Sequence, residues 1–80
     1  MLYYLYMIDQ DDLATCKQVG RNIKEIREKA KLTHIQLADK AGLHFNYFAR
    51  IERGEVNPSI IKIMNIAKAL NVKVSDILPF

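Results

Sequence analysis

The stretch from Thr33 to Glu52 limits what this chain can fold into more than any other part of it. Thr33, with Gln36 three residues on, is a capping box, in which each residue satisfies an amide that a helix start leaves unpaired. The box predicts a helix over about 34–40, with Ile35, Leu37 and Ala38 as candidate apolar contacts. Ala41-Gly42-Leu43 follows as a short turn, and its glycine can take the left-handed conformation that stops a helix. A second short helix then covers about 44–52 and ends at Gly54. Two short helices joined by a tight glycine-containing turn make a helix-turn-helix unit within a bundle.

The flanks supply the rest of that bundle. Leu13, Cys16, Val19, Ile23, Ile26 and Ala30 recur at intervals of three and four, one face of a helix over about 12–30. Asp11 or Asp12 can cap it, and Gly20 marks a candidate break. Asn57-Pro58 is a start signal, a capping side chain followed by proline at the first helical position. The helix it opens carries Ile60, Ile63, Ile66, Ala67 and Leu70 on one arc and stops near Asn71. Ser75 can cap a last short helix containing Ile77 and Leu78, which Pro79 ends. Eighty residues, half of them apolar, suit one domain with an economical helical core. The expected fold is therefore all-α, a compact five-helix bundle over residues 12–80 with a central helix-turn-helix. Residues 1–11 form an N-terminal extension that reads equally as an arm, a strand or a disordered lead.

Charge is unevenly spread. Asp9, Asp11 and Asp12 are the only charged residues of the first twelve, so residues 13–80 hold twelve bases against six acids. A basic body fits a polyanionic partner, nucleic acid above all. The single cysteine, Cys16, can form neither an internal disulfide nor a cysteine-cluster zinc site, and it reads as a small core residue. His34 and His44 stand ten residues apart without a third metal ligand, so no metal or cofactor is expected. The apolar start, Met1 to Ile8, lacks a basic leader and is too short for a signal peptide or a membrane span. A soluble, cytoplasmic protein is the expectation, without a small-molecule ligand. No carboxylate pair, Cys–His couple or glycine-rich phosphate loop suggests an enzyme.

At about 100° per residue the third helix divides into two halves. Tyr47, Phe48, Ile51 and Glu52 fall on the core half; Phe45, Asn46, Ala49, Arg50 and Arg53 fall on the other. Arginine can bond guanine through two hydrogen bonds, asparagine can do so with adenine, and apolar groups touch the thymine methyl. The outer half is thus a candidate reading face, and an exposed Phe45 at a helix start asks for a partner. Glu52 on the apolar arc needs a counter-charge, and Arg27 on the first helix is the candidate.

These residues carry a resemblance. Ile23-Lys24-Glu25-Ile26-Arg27, Leu32-Thr33, Leu37-Ala38, Ala41-Gly42-Leu43, Ile51-Glu52-Arg53-Gly54, Asn57-Pro58-Ser59 and Ile66-Ala67-Lys68-Ala69-Leu70 together resemble the Xre/Cro family of helix-turn-helix regulators. The likeness covers Gly20 to Leu78 and implies a lambda-repressor-like DNA-binding domain with an Arg27–Glu52 ion pair. It also implies a transcription regulator that binds double-stranded DNA as a homodimer on a two-fold operator. Within the family the wording looks closest to controller proteins of restriction–modification systems, although phage repressors and antitoxins share much of it. The resemblance places base reading on Phe45, Asn46, Ala49 and Arg50, with His44 beside them. It places backbone contacts on His34, Arg53 and Ser59, and less firmly on Arg21, Asn22 and Lys24. Three positions depart from the pattern. His34 stands where glutamine is usual and could donate to phosphate in a pH-dependent way. Phe45 stands at an often polar reading position, so a relative's sequence preference does not transfer. His44 replaces the usual serine or threonine cap, and is expected to cap poorly and face DNA instead.

Ile61 and Met64 fall outside the core arc of the fourth helix, and Ile77, Leu78 and Phe80 follow near the C-terminus. This apolar surplus is the candidate dimer interface. The competing function is a protein-interaction module of the same fold, an antitoxin or bridging factor whose main partner is a protein.

Overall fold

The structure, a computed structural model, describes the backbone of residues 2–79 and the side chains of residues 12–79. Five α-helices follow in order: α1 (Leu2–Lys29), α2 (His34–Ala41), α3 (Phe45–Glu52), α4 (Ile60–Leu70) and α5 (Val74–Ile77). No strand occurs among the described residues. The boundary expected at residue 12 is not a helix start, because α1 runs from Leu2. How residues 1–11 are used, as arm or otherwise, lies outside the described side chains, as does Phe80.

Side chains that satisfy first-turn amides set the helix starts. Thr33 Oγ1 accepts from the Gln36 amide at 3.1 Å while Gln36 Oε1 accepts from the Thr33 amide at 2.9 Å, completing the box. Ser59 Oγ accepts from the Lys62 amide at 3.3 Å and makes Ile60 the first residue of α4. The Asn57-Pro58 signal therefore opens the helix two residues too early. Pro58 leads in to the cap and disfavours helical backbone at Asn57. At α5 the holding group is Asp76 rather than Ser75, its Oδ2 accepting from the Lys73 amide at 3.0 Å.

The first four helices all end in the same Schellman geometry. A left-handed residue bonds back to the third carbonyl before it, and its successor reaches the fifth. The pairs are Lys31→Glu28 with Leu32→Arg27, Gly42→Asp39 with Leu43→Ala38, Gly54→Ile51 with Glu55→Arg50, and Asn71→Lys68 with Val72→Ala67. Gly42 and Gly54 take φ of 71° and 74°, Asn71 takes 57°, and Lys31 takes 60° although its side chain resists it.

Val19, Ile23, Leu37, Ala38, Ala41, Phe48, Ile51, Ile63, Ile66, Ala67, Leu70 and Ile77 form one core, with Phe48 at its centre fully enclosed. The period-3.6 stripes of α1 and α4 supply half of it, α2 lies mainly on α4, and α1 lies on α3. Leu13, Ala30 and Ile60 belong to the expected stripes but are exposed, each at the end of its stripe and beyond the packed layer. No break occurs near Gly20. A Cβ there would overlap the carbonyl oxygens of Ile51 and Glu52, so Gly20 marks the place where α1 crosses the end of α3. No helix of the described residues is long and apolar enough to cross a membrane.

Candidate nucleic-acid interface

α3 is held from behind and open in front. Phe48 and Ile51 sit in the core, and Tyr47 is half-buried under the Lys62 ammonium, 4.9 Å from the ring centre. Lys62 thereby ties the first turn of α4 to α3. Arg27 anchors the other side: Nε donates to Glu52 Oε2 at 2.6 Å, Nη2 to Oε1 at 3.3 Å, and Nη1 to the Leu32 carbonyl at 2.8 Å. The two side chains are only 11 % and 9 % exposed, so the fork is formed away from most of the solvent that would screen it. It is the pair read from the sequence, and it fixes the roll of α3 about its own axis.

That roll presents Phe45, Asn46, Arg50 and Arg53 outward with Ala49 half-buried among them. Phe45 keeps 44 % of its surface exposed and stacks on His44, ring centres 4.9 Å apart and planes 20° apart. His44 is a working cap, contrary to expectation. Its Nδ1 accepts from the Asn46 amide at 3.1 Å. A ring accepting at Nδ1 carries its proton on Nε2, which leaves one donor on an exposed side chain. Capping and facing a ligand are thus compatible.

Basic groups frame this face. His34, at the first position of α2, shares an open cleft with Lys24, Arg27, Ala49, Glu52 and Arg53. A neighbouring cleft is lined by Lys17, Arg21, Lys24, Glu52 and Arg53. The structure therefore gathers His34, Arg21, Lys24 and Arg53 beside α3. It adds Lys17, overlooked in the sequence although 17, 21 and 24 share one helix face.

Asn22 is excluded from the same group. Its Nδ2 donates to the Ile77 carbonyl at 2.7 Å, and its Oδ1 accepts from Gln18 Nε2 at 2.8 Å, so it fastens α5 to α1. Ser59 is exposed and engaged as the α4 cap. Of the expected dimer surface, Ile61 and Met64 are 60 % and 38 % exposed, whereas Ile77 is fully enclosed and Leu78 packs half-buried against the core. Ile77 is a core residue because α5 turns it inward against α1 and α4, with Val74 half-buried beside the core.

Glu55 is a further charged group at this face. Its Oε2 accepts from Arg53 Nε at 2.6 Å, its Oε1 accepts from Arg53 Nη2 at 3.2 Å, and Arg50 Nε lies 3.8 Å from Oε1. The hydrogen bond from Arg53 holds the Glu55 carboxyl below the usual carboxylate range, and the same bond pushes the Arg53 guanidinium above its ordinary value. Burial, with Asp12 nearby, pushes the Cys16 thiol up, which disfavours the thiolate that nucleophilic chemistry needs. No group of three or more metal-ligating side chains occurs among the described residues.

A helix-turn-helix family profile matches residues 23–77. The chain is 49 % identical over 59 residues to the immunity repressor protein of Bacillus phage phi105, covering 74 % of this chain and 41 % of the repressor. It is 35 % identical over 60 residues to the control protein C.SmaI of Serratia marcescens, covering 75 % of this chain and 71 % of that protein. Among solved structures it is similar to the restriction–modification controller protein C.AhdI of Aeromonas hydrophila. That likeness has a TM-score of 0.79 and 29 % identity, over 81 % of this chain and 98 % of the controller.

Proposed function

The chain belongs to the helix-turn-helix family of transcriptional regulators, the Xre/Cro type that its motifs resemble, and on that footing we propose that it reads double-stranded DNA with α3. One observation carries the proposal. The Arg27–Glu52 fork and the Phe48–Ile51 core contact fix α3 so that Phe45, Asn46 and Arg50 project together, beside two adjoining clefts lined by cations.

In a major groove Arg50 suits the O6 and N7 acceptors of guanine, Asn46 suits adenine, and Phe45 suits a thymine methyl. Ala49 is small enough to let the helix approach the base edges. His44 adds an Nε2–H donor at the leading end. Phosphates on one side fall to His34 and to the first amides of α2, where the helix dipole favours an anion. On the same side Lys24 and Arg53 share the cleft of His34, Arg21 and Lys17 continue it, and Ser59 with Lys62 at the start of α4 extends the track.

A single α3 covers only one half-site, so two copies related by a two-fold axis account for a full operator. Ile61 and Met64, joined by Ile60, are the surface proposed for that pairing. The names of its relatives, an immunity repressor, a control protein and a restriction–modification controller protein, support a repressor-like regulatory role. This chain spans 41 % of the phage repressor's length, so only the DNA-reading part of that protein's work is proposed for it.

Selection of bound duplexes from random DNA should yield an inverted repeat. Arg50→Ala should weaken binding to the selected site by about 1–3 kcal/mol and relax preference at one position of each half-site. Failure to enrich any sequence, with DNA affinity that is weak and indifferent to salt, would instead favour the protein-interaction module.

A further inference from the structure

The residue after the left-handed turn is apolar at three of the four Schellman helix ends. Leu32, Leu43 and Val72 occupy it after α1, α2 and α4, and each packs against the core. After α3 the same position holds Glu55, which is exposed. Its backbone is nonetheless fixed, since its amide donates to the Arg50 carbonyl at 2.9 Å. Gly54 before it lies so close to α1 that an added Cβ would fall 2.6 Å from Lys17 Cα. The carboxylate is therefore aimed by a rigid turn at Arg53, with Arg50 Nε 3.8 Å away.

Stability does not account for this placement. The arginine and glutamate side chains are about half exposed, and ion pairs so exposed contribute little to folding. The geometry, though, is the two-bond fork that a guanidinium otherwise makes with phosphate. Arg53 already spends it on Glu55 at the edge of the reading face.

We propose that Glu55 is an internal stand-in for a DNA phosphate, a specificity-determining residue that holds down affinity for DNA in general. The proposal rests on the DNA reading of α3. Binding to any duplex either displaces Glu55 from Arg53, which leaves a bare carboxylate beside the phosphates, or leaves Arg53 unused. In both cases about one fewer counterion is released than the count of cations suggests. Contacts to base edges are unaffected, so the penalty weighs most on complexes held by phosphates alone.

The test uses the full chain, a fluorescein-labelled mixed-sequence duplex of about 20 base pairs, two helical turns, and anisotropy over a range of NaCl concentrations. Glu55→Gln keeps the shape and removes the charge. It should bind this duplex severalfold more tightly, with the slope of log K against log salt steeper by about one. Its melting temperature should be unchanged, and the gain should shrink when Arg53→Ala is combined with it. An unchanged slope and affinity, with the wild-type chain still binding, overturns the role of Glu55 and leaves the DNA reading intact. A gain that persists undiminished in the Arg53→Ala background marks bulk charge, and overturns the stand-in. No salt-sensitive binding by the wild-type chain overturns both.

Discussion

Lys31 shows how one residue can oppose the geometry that its neighbours require. It holds φ at 60° so that its own amide reaches Glu28 and the amide of Leu32 reaches Arg27, which also brings the Leu32 carbonyl to Arg27 Nη1 at 2.8 Å. A side chain in the left-handed region costs about 1–2 kcal/mol that glycine does not incur. Lys31→Gly should therefore raise the unfolding free energy by about 1 kcal/mol, seen as a higher urea midpoint at unchanged m-value. A lower midpoint would mean that the lysine side chain supplies more than its backbone loses. Arg27 and Glu52 were legible from sequence because a charged residue on an apolar arc demands a partner, whatever the fold. Asn22 was not, because its acceptor, the Ile77 carbonyl, lies 55 residues further along the chain. Glu55 escaped notice because nothing in a loop sequence distinguishes a free carboxylate from one that a left-handed turn aims at Arg53.

At the scale of elements, the outcome of a sequence signal depends on which competing physical effect prevails. Thr33–Gln36 and Gly42 act within a few residues of themselves, and α2 begins and ends where they predict. Asn57 and Ser59 are both competent caps, and only the backbone around Pro58 decides for Ser59. Gly20 has the local look of a helix break, yet α1 passes through it because the crossing with α3 needs its missing side chain. Within an ordinary helix, glycine to alanine is favourable by roughly 1 kcal/mol. At Gly20 the new methyl would meet two backbone carbonyls, which cannot rotate away as side chains do. The steric effect should win, so that Gly20→Ala destabilises by on the order of 2 kcal/mol. Thermal and urea unfolding followed by circular dichroism would show it. A more stable Gly20→Ala would mean that α1 slides on α3 at little cost, and that the contact is not what sets their spacing.

For the molecule as a whole, the exposed apolar groups of α4 bear on how a protein this small would bind an operator in the proposed two-fold mode. Ile60, Ile61 and Met64 are exposed at or near the start of α4, within reach of solvent but continuous with a helix whose other side fills the core. Stable interfaces bury about 800 Å2 on each partner, more than three side chains supply. Pairing through this patch alone would therefore be weak, and DNA would act as the second ligand that completes it. In that proposed arrangement two α3 helices on one operator would share a single loss of rotational freedom, so each half-site contact would strengthen the other. Ile61→Asp puts a charge at the most exposed of these positions and leaves the core untouched. The substituted chain should keep its melting temperature in dilute solution, sediment as a monomer where the parent self-associates, and bind a full operator no more tightly than a half-site. Retention of full-operator affinity by this variant would move the two-fold contact away from α4, and would leave the patch as a surface for some other partner.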